Sequence, residues 1–161
     1  MRIGITVHGL PPRATHGVET HSGAFAEALV RAGHSVEVFV PSNSPGRALY
    51  SQRREQRGPH YGVTWVQLEG SLDSTQMARA FGAFLDRERP DVLHLQHMKQ
   101  LGCAAIDEVE RRGIPMVYTA HDFFPVHETL TLMRPDLIPF ECGDREMQAR
   151  VLCALGFLDK Q

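Results

Sequence analysis

Short β-branched runs alternate with stretches of helical period along most of the chain, and this alternation restricts the fold more than any other feature. Ile3 to Val7 is a compact apolar run bounded by Gly9 and Pro11-Pro12, which predicts a short buried strand. From about Thr20, Phe25, Ala28, Leu29 and Ala32 recur on one helical face, and Gly33 follows where a left-handed cap is needed. Val36 to Val40 reads as a second strand stopped by Pro41, Val63 to Leu68 as a third, Asp91 to Leu95 as a fourth and Ile114 to Thr119 as a fifth. Helices are predicted over Asp73 to Glu88, with Met77, Phe81, Phe84 and Leu85 inward, and over Leu101 to Arg112, closed by Gly113. Connections of this length imply right-handed crossovers. The expected fold is therefore α/β: a Rossmann-like, doubly wound parallel sheet with helices on both faces.

Two regions break the pattern. Ser42 to Gly62 is rich in Ser, Pro, Gly, Gln and Arg, with too few apolar residues to order itself by burial, and a mobile loop is expected there. Its run Arg53-Arg54-Glu55-Gln56-Arg57, with Arg47 before it, reads as solvated surface. The alternative, a patch for an anionic acceptor or lipid head group, lacks an apolar face at helical spacing. Beyond Ala120 the period loosens, and only Arg145 to Leu155 again looks helical. The stop at Gln161, where one more strand would be in place, gives the expectation that residues 1–161 are one domain of something longer.

At 161 residues the chain can bury a core without staples, and 17 basic against 19 acidic residues argue against nucleic acid as a partner. Met1 leads directly into a strand pattern, without a basic leader, long apolar segment or cleavage site. The expected compartment is the cytoplasm, with peripheral contact at the inner membrane face as the alternative. Cys103, Cys142 and Cys153 are an odd count without a C-x-x-C pair, so reduced thiols are expected. Oligomeric state stays open.

In such a sheet ligands bind beyond the carboxyl ends of the strands, where strand order reverses, between the first strand and the fourth. That rule selects His8, Gly9, His16, Gly17 and Glu19 after the first strand, His94, Gln96 and His97 at the tip of the fourth, and Thr119, His121 and Asp122 at the tip of the fifth. Gly17 ahead of a helix would let backbone amides approach a phosphate, the alternative being an ordinary turn glycine followed by an exposed acid. Glu19 is also favourable there as a simple dipole partner. The G-x-G-x-x-G turn is absent and Pro41-Ser42-Asn43 stands where an acid would grip ribose, which excludes NAD. No phosphate loop ending in Gly-Lys-Ser or Gly-Lys-Thr is present either. His94-x-x-His97 with His121-Asp122 lacks any specific metal-ligand frame, so no metal is expected. His121 is the foremost catalytic candidate, an imidazole at a strand end with Asp122 beside it to orient it or to start the next turn.

Read together, four stretches resemble the amino-terminal domain of the retaining, GT-B glycosyltransferases of family 4, the group 1 type. They are "HGLPPRATHGVETHSGAFAEALVRAGHSVEVF", "RPDVLHLQH", "RGIPMVYTAHDFF" and the cysteine-bearing tail. The order of the pieces matches across nearly the whole chain. His16 departs from the pattern, standing where the family commonly has the first glycine of a pair; only Gly17 and Glu19 match that turn.

The resemblance implies transfer of a sugar from a nucleotide-sugar donor to an acceptor with retained configuration, without a cofactor or required metal. It implies that Gly17 contacts the donor diphosphate, that His121 hydrogen-bonds the donor sugar near the reacting carbon, and that Glu19, Thr119 and Asp122 belong to the donor side. His8, Gly9, His16, His94 and His97 would line the acceptor side of the cleft. It also implies a carboxyl-terminal domain holding most of the nucleotide, so the chain by itself is expected to be nearly inactive. The competing readings are a stand-alone sugar- or nucleotide-binding or docking module and, less favoured, a metal-assisted hydrolase.

Overall fold

A computed structural model describes residues 1–43, 46–69 and 74–122. The chain divides into two units, Met1–Thr119 and Ala120–Gln161. The first unit runs β1 (Arg2–Thr6), α1 (Gly17–Arg31), β2 (Ser35–Ser42), β3 (Gln52–Arg57), β4 (Tyr61–Gln67), α2 (Ser74–Glu88), β5 (Val92–Leu95), α3 (Cys103–Glu110) and β6 (Met116–Tyr118). The expected helix over Arg145 to Leu155, with Cys142 and Cys153, lies outside the described residues.

The six strands form one sheet in the order β3-β4-β2-β1-β5-β6. β1 pairs in parallel with β2 on one side and with β5 on the other, β2 with β4 and β5 with β6. Winding proceeds outward from β1 to β4, then returns to the other flank of β1 through β5, which opens a crevice beyond the carboxyl ends of β1 and β5.

Side-chain alternation along β2 divides the core between the two faces of the sheet. Val36, Val38 and Val40 join Ile3, Ile5, Val7 and Ala26 of α1 on one face, while Phe39 joins Met77, Phe81, Phe84 and Leu85 of α2 and Ala105 and Val109 of α3 on the other. Helices therefore cover both faces, as the fold class required. The inward set of α2 is the one its periodicity predicts, and all four residues are buried. Phe39, Phe81 and Phe84 form a contact triangle with ring centroids 4.8, 5.2 and 5.9 Å apart.

The expected mobile loop over Ser42 to Gly62 is overturned in its second half, where Gln52–Arg57 is an edge strand antiparallel to β4. Apolar burial does not hold it; backbone pairing and charge do. Arg54 binds the Glu37 carboxylate of β2 and lies 3.6 Å from Glu88 of α2, while Arg53 and Arg57 hold Glu55 at 2.9 and 2.8 Å. Arg53, Arg54 and Arg57 of the run are thus ion-paired along this edge. β2 also continues through Pro41, against the expected stop. Pro41 pairs only with β4, and the side that its missing N–H would serve faces β1 past the end of that strand's ladder. Among the described residues no helix is long and apolar enough to cross a membrane.

Two stability predictions follow from this packing. Phe81→Ala removes one corner of the aromatic triangle and is expected to cost about 3–5 kcal/mol in urea unfolding. Desolvation pushes the Glu37 carboxyl above its ordinary value of 4.5, against the lowering pull of Arg54. A raised acid favours the fold while protonated, so its contribution is present at low pH and lost as pH rises from about 4.5 through the raised value. Unfolding curves across that range are expected to move in favour of Glu37→Gln, relative to wild type, as pH rises.

Candidate functional site

The segment after β1 turns directly into the start of α1. Val7 still donates to the Phe39 carbonyl at 3.3 Å, after which His8 and Gly9 leave the sheet. A Cβ at Gly9 would stand 2.8 Å from Cβ of Ala14 and 3.1 Å from Cγ of Glu19, so the close approach of loop to helix requires glycine. His16 is the N-cap, extended and without a side-chain capping bond. Gly17 is the first residue of α1, three positions earlier than the periodicity predicts; it belongs to the helix and not to the turn ahead of it. A Cβ at Gly17 would meet nothing within 4 Å, so the first turn of α1 opens onto free space there. First-turn N–H groups have no intrahelical partner and, with the helix dipole, favour an anion.

Glu19 does not behave as the exposed acid of the simpler reading. It is buried, 4% exposed, with Oε1 at 3.0 Å from His8 Nε2 and 3.9 Å from His16 Nδ1. Its second oxygen, Oε2, is buried without a hydrogen-bond partner.

The tips of β5 and β6 form the facing part of the rim. Gln96 donates its backbone N–H to the Thr6 carbonyl at 2.9 Å, carrying the β1–β5 pairing past the end of β5, and Thr119 donates to the Leu95 carbonyl at 3.0 Å. His94 Nε2 lies 2.7 Å from Thr119 Oγ1 and 3.3 Å from Gln96 Nε2, and its ring meets Phe25 of α1 edge-on at 5.0 Å. His97, 2% exposed, accepts from the Lys99 amide through Nδ1 at 2.8 Å, which leaves its ring proton on Nε2. Its ring stands edge-on to His8, centroids 4.4 Å apart.

One edge of the first unit thus gathers His8, Gly9, His16, Gly17, Glu19, His94, Gln96, His97 and Thr119. His121 and Asp122 belong to the second unit, Ala120–Gln161. Sequence reading missed the His8–Glu19 pair, whose signal was a His-Gly at a strand end facing an acid in the next helix's first turn. It also missed Phe25 as a contact of His94. Arg13, the basic residue of the loop after β1, is directed elsewhere, 4.9 Å above the Trp65 ring and 3.5 Å from Ser42 Oγ. Among the described residues no three His, Cys, Asp or Glu side chains gather as a metal cage. A groove of about 560 Å³ beside α1, lined by Pro11, Thr20, Glu27, Arg57 and Tyr61 among others, shares no residue with this rim.

The family model described as Glycosyltransferase Family 4 matches residues 15–152. Among solved structures, sucrose-phosphate synthase from Thermosynechococcus elongatus is similar with a TM-score of 0.51 and 16% identity, over 73% of this chain and 31% of that one. A second sucrose-phosphate synthase chain from Thermosynechococcus elongatus gives a TM-score of 0.48 and 12% identity, over 98% of this chain and 97% of that one. At such identity the likeness concerns the fold, and this chain spans under a third of the first synthase chain. No curated protein sequence matches.

The two loop glycines are expected to respond oppositely to substitution. Gly9→Ala forces Ala14 and Glu19 apart and should lower stability by about 1–3 kcal/mol in thermal or urea unfolding. Gly17→Ala, with open space and helical backbone, should lose none.

Proposed function

The chain belongs to Glycosyltransferase Family 4, and from that premise we propose that it is the amino-terminal, acceptor-side half of a retaining enzyme that moves a sugar from a nucleotide-sugar to an acceptor hydroxyl. The observation that carries the reading is the open first turn of α1 at Gly17, set on the rim where the carboxyl ends of β1 and β5 meet. There the diphosphate of the donor finds unpartnered amides and a favourable helix end. His121 then hydrogen-bonds the donor sugar beside the carbon that changes partners, with Thr119 and Asp122 around it. His8, His16, Gly9, His94 and His97 shape the acceptor side.

Transfer of this kind needs both substrates held in line, and most of the donor's binding energy comes from a second domain. The isolated chain is therefore inactive, and the partner it requires is a carboxyl-terminal nucleotide-binding half. The short span of the synthase chain that this one covers is in keeping with a two-domain enzyme.

Supplying a carboxyl-terminal half of a family member, in one polypeptide or in trans, is expected to produce sugar transfer from a nucleotide-sugar panel, with product anomers assigned by NMR. The chain alone should give none. His121→Ala in the reconstituted enzyme should reduce kcat about a hundredfold or more. Inverted product, or transfer unchanged by His121→Ala, would overturn the retaining reading or the role of His121 respectively.

A further inference from the structure

The first turn of α1 contains a conflict between two charges. Its open amides and the helix dipole invite an anion at Gly17, yet Glu19 already places a carboxylate in that same turn. That carboxylate is 4% exposed, and Oε2 has no hydrogen-bond partner to disperse its charge. Away from water, like charges oppose each other far more strongly than in bulk solvent. A phosphate approaching Gly17 meets this opposition unless a cation cancels it.

The group placed to do so is His8, whose Nε2 lies 3.0 Å from Glu19 Oε1. Its surroundings come from three segments. Glu19 faces it from α1, and His97 faces it from the segment after β5 with its Nδ1 occupied by the Lys99 amide. His16 faces Glu19 from the N-cap at 3.9 Å, with a side chain 91% exposed and its charge correspondingly screened. Arg13 lies 4.9 Å over the Trp65 ring and 3.5 Å from Ser42 Oγ.

We infer that His8 and Glu19 act as one proton-operated unit that controls whether a phosphate-bearing ligand enters the first turn of α1. With His8 protonated the pair is neutral and the helix end attracts the anion. With His8 neutral, the Glu19 charge stands alone and repels it. The inference rests on the donor-side reading of Gly17 and adds the regulation of that site by pH.

The test titrates inorganic pyrophosphate into the ¹⁵N-labelled chain and follows the Gly17 amide, at about pH 6 and about pH 8, on either side of the usual histidine range. Wild type, His8→Asn, Glu19→Gln and the double variant are compared at each pH, so that the probe's own titration cancels. Relative to the double variant, His8→Asn is expected to bind about tenfold more weakly at both values, and Glu19→Gln more tightly at the lower pH, where His8 is an unopposed cation, and equally well at the higher one. Wild type should follow the double variant at the lower pH and approach His8→Asn at the higher one.

Equal affinity in all four proteins, weaker binding by Glu19→Gln than by His8→Asn, or a Gly17 amide that pyrophosphate never moves would each overturn the inference. Should Glu19→Gln fail to fold, wild type against His8→Asn decides alone: convergence with rising pH supports the unit, and a constant ratio overturns it. Failure of sugar transfer in the reconstituted enzyme, with this pattern intact, would strike the transferase reading and leave the unit standing.

Discussion

The parallel pairing of β1 with both β2 and β5 is the constraint from which the rest of the first unit follows. A strand flanked on both sides in parallel is reached only by crossovers, so a helix must lie over each face, and among the described helices α1 covers the face opposite α2 and α3. β1 must therefore be short, apolar and slim. Gly4 is part of that requirement, because a Cβ there would come 3.0 Å from Leu93 Cδ1 and 3.3 Å from Pro90 Cβ. The same double pairing leaves the carboxyl ends of β1 and β5 side by side, and the polar side chains of the loop after β1 and of the segment after β5 meet there.

Most of this architecture was legible because burial writes a period into the sequence. Met77, Phe81, Phe84 and Leu85 can be assigned to one helix face before any coordinates exist, and the β-branched runs of β1 and β2 carry their own boundaries. What was not legible is order that owes nothing to apolar burial. Gln52–Arg57 has no hydrophobic pattern, and its partners, Glu37 and Glu88, are 17 and 34 positions from Arg54 in sequence. Backbone pairing to β4 and a web of distant ion pairs leave no local trace, and a composition rich in Arg and Gln reads as loop. Pro41 misled for a related reason, since its effect depends on which neighbour its missing N–H would have faced.

The candidate site divides in the same way. The grouping of its residues was legible, because the rule for doubly wound sheets depends only on strand order, and nine of the singled-out residues stand on one edge of the first unit. The state of Glu19 was not. An acid in the first turn of a helix is ordinarily a solvent-exposed partner of the dipole. Here Gly9, lacking a side chain, lets the loop close over it, and His8 turns back to meet it. Burial of an acid is decided by residues ten and eleven positions upstream, which no helical period records.

That burial has a consequence for how the rim is held together. An exposed glutamate at this point would contribute a few tenths of a kcal/mol through the dipole and leave the loop after β1 untied. A buried one binds the loop to the helix through His8, and His8 in turn packs against His97 at the end of β5. Strand end, helix start and facing strand tip are thereby joined through three side chains instead of through backbone pairing, which has ended by that height in the sheet. Because the joint consists of imidazoles and a carboxylate, its geometry and its charge are set by the same atoms. Any substitution that loosens the rim also changes its electrostatics, and any ligand that alters the charge also strains the joint.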